Sequence, residues 1–357
     1  MNGALPALIF HVQLQEETVR TRVVRRAVSW PSIALLCLAL SPLARGEMAE
    51  IKVAQQYGIS YLPLMIMEEQ KLIEKYARAG GIPDLKVSWA KFAGGNVMND
   101  ALLSGGLQFA SGGVGPLLTL WARTRGNLDV KAVAAINSMP LYLNTRNPNV
   151  KTLKDFTDRD RIALPAVKVS IQAITLQMAA EKAFGEGQWA RLDPLTVTLS
   201  HPDAQAALLS GQSEITGHFS SPPFQYQQLK NPAIHTVLSS YDVLGGPATF
   251  NLVWTSSRFR AENPHIYDAF VKALDDAIDQ INADKKAAAE AYLRLSKDKD
   301  SLQDIVAMLN DPGIVYTTTP QNVTKYVDFM VRTGAIKVKP DSWKDLFFPN
   351  AHALPGS

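Results

Sequence analysis

The sequence predicts an α/β protein of two lobes joined by two crossing segments, with a helical C-terminal part. Three observations lead there. At 357 residues the chain exceeds the size at which one hydrophobic core usually stops growing. Strand-like and helix-like patterns alternate from Glu50 onward, the rhythm of an open, mostly parallel sheet. One unit also recurs: residues 101–116 read ALLSGGLQFASGGVGP, and 106 positions later residues 207–222 read ALLSGQSEITGHFSSP. Each copy reads as a helix ending at Gly105 or Gly211, where a residue without a Cβ takes the left-handed conformation. A short strand follows, 107–110 or 213–216, then a run of small residues, 111–115 or 217–221. Pro116 and Pro222 are placed in the first turn of the next helix, where proline is best tolerated.

The remaining elements fall in order. A first strand, Glu50–Gln55, enters the turn 57–63, and apolar residues at helical spacing predict a helix over 64–78. Strands are expected at 85–90 and 130–135, and 141–144 as the first crossing between lobes. A strand at 161–165 feeds the loop 166–169 and a long helix, 170–184; strands at 195–199 and 234–238 flank the second repeat copy. Residues 249–255 then make the return crossing. From Pro264 the pattern is helical: Ala269, Ala273, Ala277 and Ile281 line one face, with Phe270, Leu274 and Ile278 beside them. Helices are expected at 286–295, 301–309 and 320–333, the last capped by Thr319 with Pro320 at its first position. The division that results is a leader over 1–49, lobe 1 over 50–140, lobe 2 over 141–248, and a return to lobe 1 with C-terminal helices over 249–357.

Charge and cysteine narrow the function. Residues 1–46 hold five Arg and two Glu; without them, the 36 basic and 33 acidic residues become 31 of each. The basic excess therefore lies wholly in the leader, and no nucleic-acid-binding surface is indicated. Arg20, Arg22, Arg25 and Arg26, followed by the apolar run 27–43, read as an export signal with cleavage near Gly46 or Ala49. The single cysteine, Cys37, falls inside that leader. The mature chain then has no thiolate nucleophile and needs no reducing compartment, which fits a periplasm.

No catalytic or metal-binding signature is found, and no cofactor is implied. The six histidines are scattered, with no pair at metal-ligand spacing. Ligand candidates lie instead where strands end and helices begin. Gly112, Gly113 and Val114 lead into a helix whose free N–H groups and partial positive charge suit an anion; a tight strand-to-helix turn would need the same glycines. Ser170 can cap the next long helix, and its hydroxyl, the N–H groups of Ile171 and Gln172, and nearby Lys168 could hold a sulfonate, nitrate or carboxylate. His218, Phe219 and Ser220 are the second repeat's counterparts of the glycine turn. Tyr57, Ser60 and Tyr61 follow the first strand, and the aromatics leave a neutral heterocycle open as ligand.

Taken together, the 58–63 turn, FAGGN before a helix ending in LLSGG, SGGVGP, IALPAVKVSIQA, DPGIVYTTTPQNVTKYVDFM and SWKDLFF resemble the substrate-binding proteins of the nitrate/sulfonate/taurine class of ABC transporters. The resemblance covers nearly the whole mature chain. It implies a periplasmic-binding-protein fold of the two-crossover kind (type II), a monomer, a small solute held between lobes, and a permease and ATPase as partners. It places the Gly113, Ser170 and Ser220 regions among the family's ligand-contacting turns. The fold also hosts sensor domains and enzymes, the desulfinases and thiamine-pyrimidine synthases, both of which rely on cysteines that the mature chain lacks.

Overall fold

Eleven strands and thirteen α-helices lie within residues 46–357, the residues that the computed structural model describes. The expected export signal, apart from its cleavage region, and Cys37 lie outside the described residues. No helix among the described residues is long and apolar enough to cross a membrane.

The apolar alternation of β1 (Glu50–Gln55) pairs it in parallel with β2 (Lys86–Lys91). Between them, α1 (Leu62–Glu69) and α2 (Leu72–Ala79) stand where one helix was expected over 64–78. Lys71 adopts a left-handed conformation (φ 51°) there, which re-aims the chain so that Leu72 and Ile73 are buried. Next come α3 (Gly95–Leu103), β3 (Ala110–Gly113), α4 (Val114–Thr124) and β4 (Val130–Ser138). The first repeat's strand thus lies three residues later than expected, on its small residues. Ser111, Gly112 and Gly113 pair with Val253, Leu252 and Asn251 of β10 (Thr249–Ser256). Only small side chains fit this position, because a Cβ on Gly112 would stand 3.0 Å from Gln56 Nε2 and 3.2 Å from the Trp254 ring.

After β4 the chain passes to a second sheet. Its elements are β5 (Tyr142–Thr145), β6 (Ile162–Leu164), α5 (Ile171–Phe184), β7 (Thr196–Thr198), α6 (His201–Ser210), β8 (Gly217–Phe219), α7 (Phe224–Leu229), β9 (His235–Ser239) and α8 (Ser240–Leu244). The strand order is β7-β6-β8-β5-β9. The chain then returns as β10, which runs antiparallel between β3 and β4. With β11 (Val315–Tyr316) the first sheet has the order β11-β4-β10-β3, and β1 is tied to it by Ala54 N–H donating to Phe109 O at 2.9 Å. The runs 141–144 and 249–255 are therefore mostly sheet strands, and the links between sheets are the shorter segments 139–141 and 245–248. Their apolar patterning has a plain cause: β5 and β10 are interior strands, and the first seven residues of β10 are all buried.

In the second repeat, Gly211 takes the expected left-handed conformation (φ 68°), as Gly105 does in the first (φ 80°). Pro222 does not match Pro116. A residue before proline is pushed away from helical geometry, so Pro222, preceding Pro223, stays outside α7, whose N-cap is Pro223. The C-terminal part comprises α9 (Ser257–Glu262), α10 (Pro264–Ala283), α11 (Lys285–Ser296), α12 (Leu302–Leu309) and α13 (Val323–Arg332). The seven apolar residues read on α10 are all buried, and Phe270 stacks on Phe109 with ring centres 3.9 Å apart. α13 begins three residues after Pro320, because the Gln321 backbone bonds with Thr249, and the N–H groups of Asn322 and Val323 donate to Ser357.

Candidate functional site

Where the two sheets approach each other, the ends of β1 and β3 and the starts of α3, α4, α5 and α6 converge with β10 on one cavity. From the first sheet's side it is lined by Gln56, Tyr61, Gly95, Gly113, Pro116, Phe250 and Asn251, and from the other by Pro165, Ser170, Ile171, Gln172 and His201. Its volume is only about 20 Å³. That is room for about one water molecule, so a solute of several heavy atoms does not fit between the walls as they stand.

The narrowness traces to Gly113. Its backbone is extended (φ −71°, ψ 166°), and a Cβ there would stand 2.6 Å from Ile171 Cγ2 and 2.7 Å from Ile171 Cβ. Two positions on, a Cβ on Gly115 would meet Ile174 and the Val169 carbonyl. Glycine is needed here so that the start of α4 can lie against the start of α5.

The polar wall is neutral. Among the described residues no Asp, Glu, Lys or Arg lines the cavity. Asn251 N–H donates to Asn137 Oδ1 (3.3 Å), and Asn137 Nδ2 in turn donates to the Ser60 carbonyl at 2.6 Å. Tyr61 OH donates to Asn251 Oδ1 at 3.2 Å, which leaves Asn251 Nδ2 fully buried without a partner. Burial holds the Tyr61 hydroxyl far above its usual pKa, so it stays protonated. Ser170 caps α5 by accepting from Ala173 N–H at 3.2 Å. His201 begins α6 behind its own cap, Ser200. Its Nε2 lies 3.4 Å from Gln172 Nε2, and its Nδ1 lies 2.9 Å from His218 Nε2. Burial pushes the His201 pKa down to about 3; burial, and then the neighbouring His201, hold that of His218 well below the usual range. Both rings are therefore neutral at pH 7.

Of the residues singled out in the sequence, Tyr61, Gly113, Ser170, Ile171 and Gln172 line the cavity together. Ser60, Gly112 and Val114 are buried beside them without lining it. His218 stands one row back, behind His201, Phe219 is in the core, and Ser220 N–H is bonded to the Tyr142 carbonyl. Tyr57 is half-buried off the cavity, and Lys168 is exposed with a left-handed backbone (φ 65°), so neither lines it. The scatter of histidines in the sequence also conceals a pair in space, His201 with His218. Among the described residues no group of three or more His, Cys, Asp or Glu is placed to hold a metal ion. Sequence reasoning missed Gln56, Phe250, Asn251 and His201. Asn251 had one signal, as the lone amide in the apolar run TFNLVW.

Two α/β sheets that exchange the chain twice and close over a cleft at their strand ends define a protein of the periplasmic-binding-protein fold. Solved structures agree. The alkanesulfonate-binding protein SsuA of Xanthomonas axonopodis pv. citri, bound to MOPS, superposes with a TM-score of 0.63 at 16% identity over 83% of this chain and 96% of its own. The aliphatic sulphonate binding protein SsuA of Escherichia coli gives 0.60 at 16% over 85% and 93%. The nitrate-binding protein NrtA of Synechocystis PCC 6803 gives 0.63 at 15% over 86% of each chain. At these identities the likeness is one of fold. Residues 44–296 match the NMT1-like family, and the chain belongs to it. The family match supports the resemblance read from the sequence, and the solved structures support the fold. No functionally curated protein matches the chain significantly.

Proposed function

We propose that this chain is the solute-capturing component of an importer. It is exported by its N-terminal leader, cleaved after Gly46, acts as a monomer in the periplasm, and delivers its solute to a membrane permease driven by an ATPase. In this reading residues 50–140 and 249–357 form one lobe and 141–248 the other. The links 139–141 and 245–248 let the lobes part and close. No chemistry is performed on the solute.

The observation that carries the reading is the cleft's donor set, drawn from both sheets: buried Asn251 Nδ2 has no partner, and the starts of α4 and α5 face the same space. Such a cleft suits a small group rich in hydrogen-bond acceptors. With no cationic side chain among the described residues that line the cavity, the charge of an anion is met by helix-start N–H groups and neutral donors. A sulfonate comes first among candidates, followed by nitrate and an organic carboxylate; the names of the structural relatives point the same way.

The test is a thermal-shift panel of sulfonates, nitrate and carboxylates, followed by calorimetric titration of the best member. Solute at 100 times its dissociation constant stabilises by about 2.7 kcal/mol. Asn251→Leu is expected to weaken binding by about 0.5–1.5 kcal/mol, or 1.5–3 for a charged acceptor. Absence of binding across the panel, or full affinity in Asn251→Leu, would contradict the reading.

A further inference from the structure

Behind His201 lies a file of buried polar side chains that the solute site alone does not explain, and its hydrogen bonds run in one direction. It starts at a backbone carbonyl, which can only accept. Asn144 Nδ2 donates to Gln225 O at 3.0 Å, and this fixes the orientation of the Asn144 amide. The same Nδ2 donates to Gln228 Oε1 at 3.0 Å, so Gln228 must turn its NH₂ toward His218 Nδ1, 2.7 Å away. His218 Nδ1 is then an acceptor. A neutral imidazole with one nitrogen accepting carries its proton on the other. His218 Nε2–H therefore donates to His201 Nδ1 at 2.9 Å, and His201 in turn carries its proton on Nε2, facing Gln172 and the cavity.

The fold builds this file deliberately close. Asn144 of β5 and His218 of β8 are cross-strand partners, and Gln225 and Gln228 are three residues apart on α7, one turn above. Asn144, His218, Gln225 and Gln228 have no measurable exposure, and His201 retains 5%. No carboxylate or cationic side chain among the described residues is hydrogen-bonded to either ring.

We infer that Asn144, Gln228 and His218 form a positioning relay that locks His201 as a hydrogen-bond donor toward the cleft, so that the site selects solutes through their acceptor atoms. This rests on the reading of the cleft as a solute site and adds the group that reads the solute. His201 Nε2–H and the Gln172 NH₂ stand side by side, 3.4 Å apart, as two donors that one sulfonate, nitrate or carboxylate oxygen can satisfy together. If instead Gln172 turns its Oε1 to His201, its own NH₂ is left directed onward. In either arrangement the relay ends on a donor. A solute presenting only N–H groups at this point meets like with like.

The experiment is ¹⁵N NMR of the full-length protein labelled in histidine, with His201→Phe and His218→Phe spectra used for assignment. Both rings are expected in the Nε2–H form, unprotonated at Nδ1, at pH 7. Gln228→Leu, which removes the donor to His218 Nδ1 but leaves Asn144 bonded to the backbone, is expected to release the lock and give His201 a mixture of tautomers. A merely structural role for Gln228 would leave the His201 tautomer unmoved. Melting with methanesulfonate (acceptors only) and with ethylammonium (donors only) supplies the second readout: stabilisation by the first, none by the second, and a roughly ten-fold or greater loss of methanesulfonate affinity in His201→Phe. An Nδ1–H tautomer or an imidazolium on His201 overturns the relay, even where solutes bind. The expected tautomers without binding of either probe or any panel solute leave the relay standing and overturn the cleft reading instead.

Discussion

Gly113→Ala is the most informative single perturbation of the contact between the sheets. The Gly113 backbone (φ −71°, ψ 166°) is open to any residue, so alanine brings no backbone strain. On that count alone it would stabilise by about 0.4–1 kcal/mol, by restricting the unfolded chain. The added Cβ, however, meets Ile171 Cγ2 at 2.6 Å and Ile171 Cβ at 2.7 Å. Ile171 is buried at the start of α5, and overpacking of this kind typically costs about 1–3 kcal/mol. The contact wins, and a net loss of about 1–2 kcal/mol is expected, with affinity for the solute falling as the starts of α4 and α5 are forced apart. Removing Cγ2 in Ile171→Ala relieves the closer of the two contacts. The pair should therefore couple by about 0.5–3 kcal/mol in a double-mutant cycle, the double variant losing less than the sum of the singles. Urea unfolding of the four proteins measures it, with the denaturant slope unchanged. A gain in stability for Gly113→Ala, with no coupling to Ile171, would refute the close approach.

Two further outcomes follow from buried groups. His201 titrates at about 3 in the folded protein against about 6.5 when unfolded, and His218 is shifted in the same direction. Below pH 6.5 the unfolded chain binds more protons, so stability is full above that pH and falls as pH drops toward 3, by about 1.4 kcal/mol per pH unit for the His201 ring, with His218 adding in the same direction. Unfolding measured at pH 7.5, 6 and 5 should show this slope reduced in His201→Gln, and a flat wild-type profile would contradict it. At the chain start, Glu47 accepts from the backbone N–H groups of His265 and Ile266, both at 2.9 Å, where α10 begins. Cleavage after Gly46 keeps this cap, whereas cleavage after Ala49 discards it. Mass spectrometry of exported protein is expected to find Glu47 as the first residue, and Glu47→Ala should cost about 1 kcal/mol; a mature chain starting at Glu50 would contradict both.

The order of elements was legible because apolar periodicity is local: β1, β6, α5 and α10 lie close to where their patterns put them. Boundaries set by distant partners were not. β3 is placed by its pairing with β10, some 140 residues on, and the start of α13 by bonds to Thr249 and to Ser357 at the chain end. The site divides in the same way. Ser170 and Gly113 announce themselves through capping and turn chemistry written in adjacent residues. Asn251 and His201 acquire their meaning from Tyr61 and His218, at separations of 190 and 17 residues with no motif to link them. The proline of the second repeat misled because its neighbour, Pro223, changes what Pro222 can do.

The claim that a solute is held between the two sheets is tested most directly by hydrogen–deuterium exchange, with and without a saturating member of the solute panel. The account predicts that slowed exchange concentrates in segments far apart in sequence that meet only at the cavity: 56–61 and 113–115 on one side with 250–251, and 170–173 and 201 on the other. Protection restricted to one sheet's segments, or centred on a surface remote from the cavity, would contradict it.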